Sequence, residues 1–211
     1  MSQIRIYAIS GLGADESVFA NLRQFIDLEV IAWKKNKPAE SLQDYAKRMA
    51  DDIDAKEPFI LLGLSFGGVL AQEISHFLKP EKLILLSSLR HENELQTLIK
   101  LIKKAGIVEH LPLALFRPPL PLCKWYFGTD DTTLVKDLID RMDLELVKWS
   151  IIQLLNWKSK PLSLEPIRIH GTADRLLYYQ KDAMPIEGGG HFMVHDRAGE
   201  VHELLSMALS S

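Results

Sequence analysis

Apolar residues fall in short unbroken runs along this chain, separated by stretches with helical spacing. Ile4–Ile9, Glu29–Trp33, Phe59–Leu64 and Lys82–Ser87 read as strands, and Pro166–His170 and Ala183–Ile186 as a fifth and a short sixth. These runs lack polar alternation, which predicts strands of a parallel sheet covered on both faces. Between them, Leu42, Tyr45, Ala46, Met49 and Ile53 keep the spacing of one helix face, with Ser41 as the N-cap and Asp44 three residues on. Further helices are predicted over Ser17–Phe25, over Val69–Leu78 before Lys79-Pro80, and over Ala198–Ala208 behind a capping Asp196.

The rhythm breaks between Leu89 and Pro166. Glu94–Lys104 and Asp137–Trp157 read as helices, and the proline-rich Leu111–Gly128 is expected not to form a regular one. The expectation is one α/β domain over residues 1–211. It has a mostly parallel sheet of about six strands, helices on both faces, and a helical cap insertion at about 89–163.

Composition narrows the function classes. The chain has 211 residues, 47% of them hydrophobic and 25% charged, enough for a core that needs no metal or disulfide staple. A net charge of −3 gives no footprint for nucleic acid, and the basic run Lys34–Lys37 reads as a solvated loop. Cys123 is the single cysteine, so no internal disulfide can form, which fits a cytoplasmic protein. The start "MSQIRIYAIS" lacks the pattern of a signal peptide, and no apolar stretch is long enough to span a membrane.

One stretch points to chemistry. In "FILLGLSFGGVLAQ", Ser65 stands between Gly63 and Gly67 where a strand run passes into a helical pattern. Serine adds little to packing there, and glycine weakens both elements. G-x-S-x-G in a strand-to-helix context is explained by a sharp turn that exposes the hydroxyl, with glycines removing colliding Cβ atoms. A serine hydroxyl needs a base and an orienting carboxylate. Asp174, in the turn after the fifth strand ("PIRIHGTADR"), opens on the same sheet edge as Ser65. Glu92, after the fourth strand, is the rival acid. His191, behind three glycines in "IEGGGHFMVHD", is the best-placed base. His195 competes less well, beside the cap of the last helix, and His170 reads as structural. His191 and His195 do not form a metal pair, because the glycine-rich loop cannot align them and no third ligand presents itself. The N–H of Phe66 is one candidate oxyanion donor and that of Leu12, between Gly11 and Gly13, the other.

Together, the first-strand glycine turn, G-x-S-x-G, His-Gly-x-x-Asp and the late Gly-His resemble the α/β-hydrolase superfamily over nearly the whole chain. The likeness is greatest to small bacterial members without the superfamily's first two strands. It implies Ser65 as nucleophile, Asp174 as acid, His191 as base, Leu12 and Phe66 as oxyanion donors, and a cap from about Leu89 to Ser163. Two features depart from the pattern. Ser10-Gly11 stands where members often carry His-Gly, and "RLLYYQ" has no proline after the acid turn. The expected function is a cofactor-free, metal-free serine hydrolase acting on a small-molecule ester or thioester with a small to medium apolar acyl group. Leu113, Leu115, Phe116, Trp125, Tyr126 and Phe127 are the candidate pocket wall. A cofactor-free lyase or C–C bond hydrolase using the same triad, and a non-catalytic ligand-binding member of the fold, are the alternatives.

Overall fold

The computed structural model describes residues 4–96 and 106–210. Six strands pair in parallel in the order β2-β1-β3-β4-β5-β6. They are β1 (Arg5–Ile9), β2 (Glu29–Val30), β3 (Phe59–Leu64), β4 (Lys82–Leu86), β5 (Ile167–Gly171) and β6 (Met184–Ile186). All six residues of β3 are buried. Its even positions, Ile60, Leu62 and Leu64, enter one apolar cluster, and its odd positions, Phe59 and Leu61, enter another on the opposite face. Both sides of the pleat are covered, which is why the strand reads as a continuous apolar run.

Two helices cover the odd face, α1 (Leu42–Ala50) and α2 (Phe66–Ser75). Ser41 caps α1, accepting from the N–H of Asp44 at 3.1 Å. Between β4 and β5 lie α3 (Leu120–Phe127), α4 (Thr132–Arg141) and α5 (Leu144–Asn156). After β6 come the one-turn α6 (Met193–Asp196) and α7 (Ala198–Ser210). Buried residues of α4 (Leu134, Val135, Leu138) and of α7 (Val201, Leu205) cover the even face. No described helix is long and apolar enough to cross a membrane.

Several expected elements differ. The stretch 17–25 forms two 3-10 turns, Glu16–Phe19 and Leu22–Gln24, instead of one helix. Strand β2 stops at Val30 because its ladder with β1 covers only two residue pairs. Helix α2 begins three residues earlier than its apolar spacing suggests, so Gly67 and Gly68 lie inside it. The expected helix over 94–104 meets a 3-10 turn, Glu92–Glu94, and its residues 97–104 lie outside those described. Leu120–Phe127 is helical despite its prolines, because Pro119 is the N-cap and Pro121 sits in the first turn, where a missing N–H costs nothing. The single helix expected over 137–157 is two, α4 and α5, divided where Asp143 accepts from the N–H groups of Glu145 and Leu146. Asp196 does not cap α7. It lies within α6, and its carboxylate accepts from the Thr129 hydroxyl at 2.8 Å.

Candidate active site

Ser65 sits at the junction of β3 and α2 with φ 53° and ψ −123°. A side-chain-bearing residue at positive φ costs on the order of 1–3 kcal/mol and persists only where its surroundings impose it. Here they do. The Ser65 N–H extends the β3–β4 ladder to the Leu86 carbonyl at 2.9 Å, and the Ser65 carbonyl accepts from Gly68 N–H at 2.9 Å and Ser88 Oγ at 2.6 Å. The glycines are required by space. A Cβ on Gly63 would lie 2.4 Å from the Gly67 carbonyl oxygen, and one on Gly67 would lie 2.3 Å from that of Ile9. Phe66 is the first residue of α2, so its N–H has no acceptor within the helix.

The loop after β1 approaches from the side. A Cβ on Gly11 would come within 3.2 Å of Ser65 Cβ. Ser10 closes the turn by donating Oγ–H to the Ala14 carbonyl at 2.8 Å, and Trp33 Nε1 donates to that Oγ at 2.8 Å. Leu12 and Phe66 both border the cavity into which Ser65 opens.

The structure brings Asp174 and His191 to Ser65. His191 Nε2 lies 2.9 Å from Ser65 Oγ, and His191 Nδ1 lies 2.7 Å from Asp174 Oδ2. Asp174 Oδ1 accepts the backbone N–H groups of Leu176 at 2.8 Å and Leu177 at 2.9 Å. Burial works against ionisation of Asp174, but His191 and His170 outweigh it and hold the carboxyl well below the usual carboxylate range. With the carboxylate on Nδ1, the tautomer follows: Nδ1 carries the proton and Nε2 is free to accept one from Ser65. The glycines before His191 thread a tight passage. A Cβ on Gly190 would lie 2.8 Å from the Phe127 carbonyl oxygen, and one on Gly171 would lie 2.2 Å from that of Gly189.

The rival residues are engaged elsewhere. Glu92 accepts from the backbone N–H and hydroxyl of Ser159 and from Lys158, which lowers its carboxyl to about 2. His195 Nε2 lies 3.1 Å from Asp131 Oδ2. His170, expected to be structural, has its Nε2 3.0 Å from Asp174 Oδ2. The His-x-x-x-Asp spacing across a strand end was the signal for this contact.

Ser65 and His191 open into a cavity of about 390 Å³, within the range of small-molecule sites. Its lining is almost wholly apolar. Phe116, Tyr126 and Phe127 of the proposed wall are part of it, joined by Val147, Ile151 and Leu155 on one face of α5. Cys123 also lines it, and burial raises its thiol so that it presents a neutral wall. Trp125 is a correction. It lies outside the cavity, 54% exposed, with the Arg175 guanidinium over its ring. On α3, the direction that faces Tyr126 and Cys123 inward turns Trp125 outward. Leu113 and Leu115 are likewise exposed outside the cavity. Among the described residues, no group of three or more His, Cys, Asp or Glu side chains could hold a metal ion.

A model described as "Alpha/beta hydrolase family" matches residues 6–204. No curated protein matches the chain. Similar solved structures include a thermophilic esterase from Thermogutta terrifontis, at TM-score 0.75 and 13% identity over 99% of this chain and 90% of that one. A hydrolase from Oleispira antarctica aligns at TM-score 0.76 and 12% identity, covering 100% and 92%. A bromoperoxidase from Bacillus anthracis aligns at 0.70 and 14%, covering 99% and 93%. At these identities the likeness is one of fold.

Proposed function

This chain belongs to the alpha/beta hydrolase family, and from that premise we propose that it is a serine hydrolase for an ester or thioester of a small to medium apolar acyl group. One observation carries the reading. An unbroken chain of contacts, Ser65 Oγ to His191 Nε2 and His191 Nδ1 to Asp174 Oδ2, stands at the rim of an apolar cavity.

In this reading, Ser65 Oγ attacks the substrate carbonyl while its proton passes to His191 Nε2. Asp174 stabilises the imidazolium and keeps its proton geometry fixed. The negative charge that develops on the carbonyl oxygen meets the N–H groups of Phe66 and Leu12. The carbonyl re-forms as the C–O or C–S bond to the leaving group breaks, and His191 gives that group the proton. Water then attacks the acyl-serine ester, losing its proton to His191 and releasing the acid and free Ser65. The connection from about residue 89 to 163 acts as a helical cap whose inner side chains receive the acyl chain. Among the described residues, no charged side chain lines the cavity apart from the triad itself, which favours an uncharged chain.

The test is a panel of esters and thioesters of graded acyl length, offered to wild type and to Ser65→Ala. Wild type is expected to improve with chain length and then decline as the cavity fills, and Ser65→Ala to lose turnover by about 10⁶-fold. Full turnover by Ser65→Ala would end the proposal.

A further inference from the structure

His170 is the fourth residue of β5 and is 1% exposed. Its Nε2 lies 2.8 Å from the Leu177 carbonyl oxygen and 3.0 Å from Asp174 Oδ2. A carbonyl oxygen only accepts, so His170 Nε2 carries a proton. The oxygen that His170 shares, Oδ2, is the one that accepts His191 Nδ1–H. One ring N–H therefore spans the turn that bears the acid, from the carboxylate of Asp174 to the carbonyl three residues beyond it.

We propose that His170 is a positioning residue for the hydrolytic reaction: its Nε2–H fixes the Asp174 carboxylate in the orientation that meets His191 and draws off part of its charge. This deepens the proposed function and rests on Ser65, His191 and Asp174 acting as a triad. The torsion that turns an aspartate carboxylate is broad and soft. Backbone N–H groups hold Oδ1, and among the described residues Oδ2 would without His170 be left to His191 alone, the imidazole that takes and gives up protons in the reaction. Each N–H on Oδ2 also lowers the charge with which Asp174 retains a proton on the imidazole of His191.

The other titratable groups nearby do not duplicate this contact. Tyr179 meets the His170 ring edge-on and donates its hydroxyl to the Ala183 carbonyl. Arg175, next to Asp174 in the chain, donates to the Trp125 carbonyl. Tyr126 and Cys123 of α3 border the cavity alongside His191.

The experiment compares His170→Leu, His170→Gln and His170→Asn by thermal melting, kcat and KM on a short ester, the pH profile of kcat/KM, and the low-field proton resonance of His191 Nδ1–H. His170→Leu is expected to lower kcat about tenfold, the effect of one buried acceptor losing a donor, with KM little changed. It should also move the acid limb of the profile to higher pH and shift the low-field resonance. His170→Gln places an amide N–H where the ring Nε2–H stood and should restore kcat, limb and resonance. His170→Asn, which is shorter, should not. A folded His170→Leu protein with wild-type kcat, limb and resonance overturns the proposal. If that variant does not fold, equal behaviour of His170→Gln and His170→Asn overturns it. Failure of the triad reading looks different: a fluorophosphonate then leaves Ser65 of the wild type unlabelled, whatever the resonance does.

Discussion

On the sheet side of the cavity, Asp174 takes four N–H donors, and Ser65 is held through its own N–H and carbonyl by Leu86, Gly68 and Ser88. Glycines there pass so close to other backbone that a single methyl group would collide. On the opposite side, α3 and α5 offer apolar side chains with few directional contacts, and Leu122, which lines the cavity, is 45% exposed. The first side is fixed by hydrogen bonds and sterics, and the second by apolar packing that tolerates volume-conserving exchange. On this account the chemistry belongs to the sheet edge and chain-length selectivity to the β4–β5 connection.

The largest expected effect tests the sheet edge. Asp174→Asn should leave the fold in place and lower kcat by about 10⁴-fold, because the amide favours the wrong imidazole tautomer. Steady-state kinetics on a short ester check it, and wild-type kcat would break the comparison. Gly67→Ala comes next. Its new Cβ meets the Ile9 carbonyl oxygen, a backbone atom that cannot rotate away, so stability should fall by about 3 kcal/mol. Urea unfolding reads this directly, and an unmoved midpoint would show that the elbow is looser than described.

The cap side predicts a smaller and different response. Ile151→Phe narrows the cavity and should lower kcat/KM for long acyl esters about tenfold relative to short ones, with the short-ester rate retained. An unchanged ratio would take the acyl chain out of this cavity. The smallest effect concerns the Glu92 contact that ties the two ends of the connection. Its pKa is lowered from 4.5 to about 2, so its contribution to stability is present above 4.5 and disappears as pH falls through 2. The Glu92 side chain is 23% exposed and its Lys158 partner 71%, a contact at the surface, so the contribution is about 1 kcal/mol. Glu92→Gln should melt slightly below wild type at pH 6 and level with it near pH 2.

The same division governs what could be read from sequence. Sheet strands announce themselves by apolar runs, and the residues now seen in contact around Ser65 sit in turns whose glycines have steric reasons. Ser65, Asp174 and His191 were therefore legible as a constellation, though 126 residues separate the first from the last. The connection was not legible in the same way. Whether Pro121 breaks a helix or starts one depends on where the first turn falls, and composition does not state that. Trp125 and Tyr126 are adjacent and chemically alike, and only the rotation of α3 sends one outward and the other into the cavity. His170 was read as structural without its partner, for a related reason. Its contact with Asp174 depends on how the chain folds back after β5, a tertiary detail with only a weak trace in the spacing.

The most direct measurement of the central claim is covalent labelling with a fluorophosphonate, followed by mass mapping of the modified residue. The account predicts one adduct on Ser65 in wild type, much slower labelling in Asp174→Asn, and none in Ser65→Ala. Label on another residue, or an unlabelled wild type that still hydrolyses esters, would contradict it.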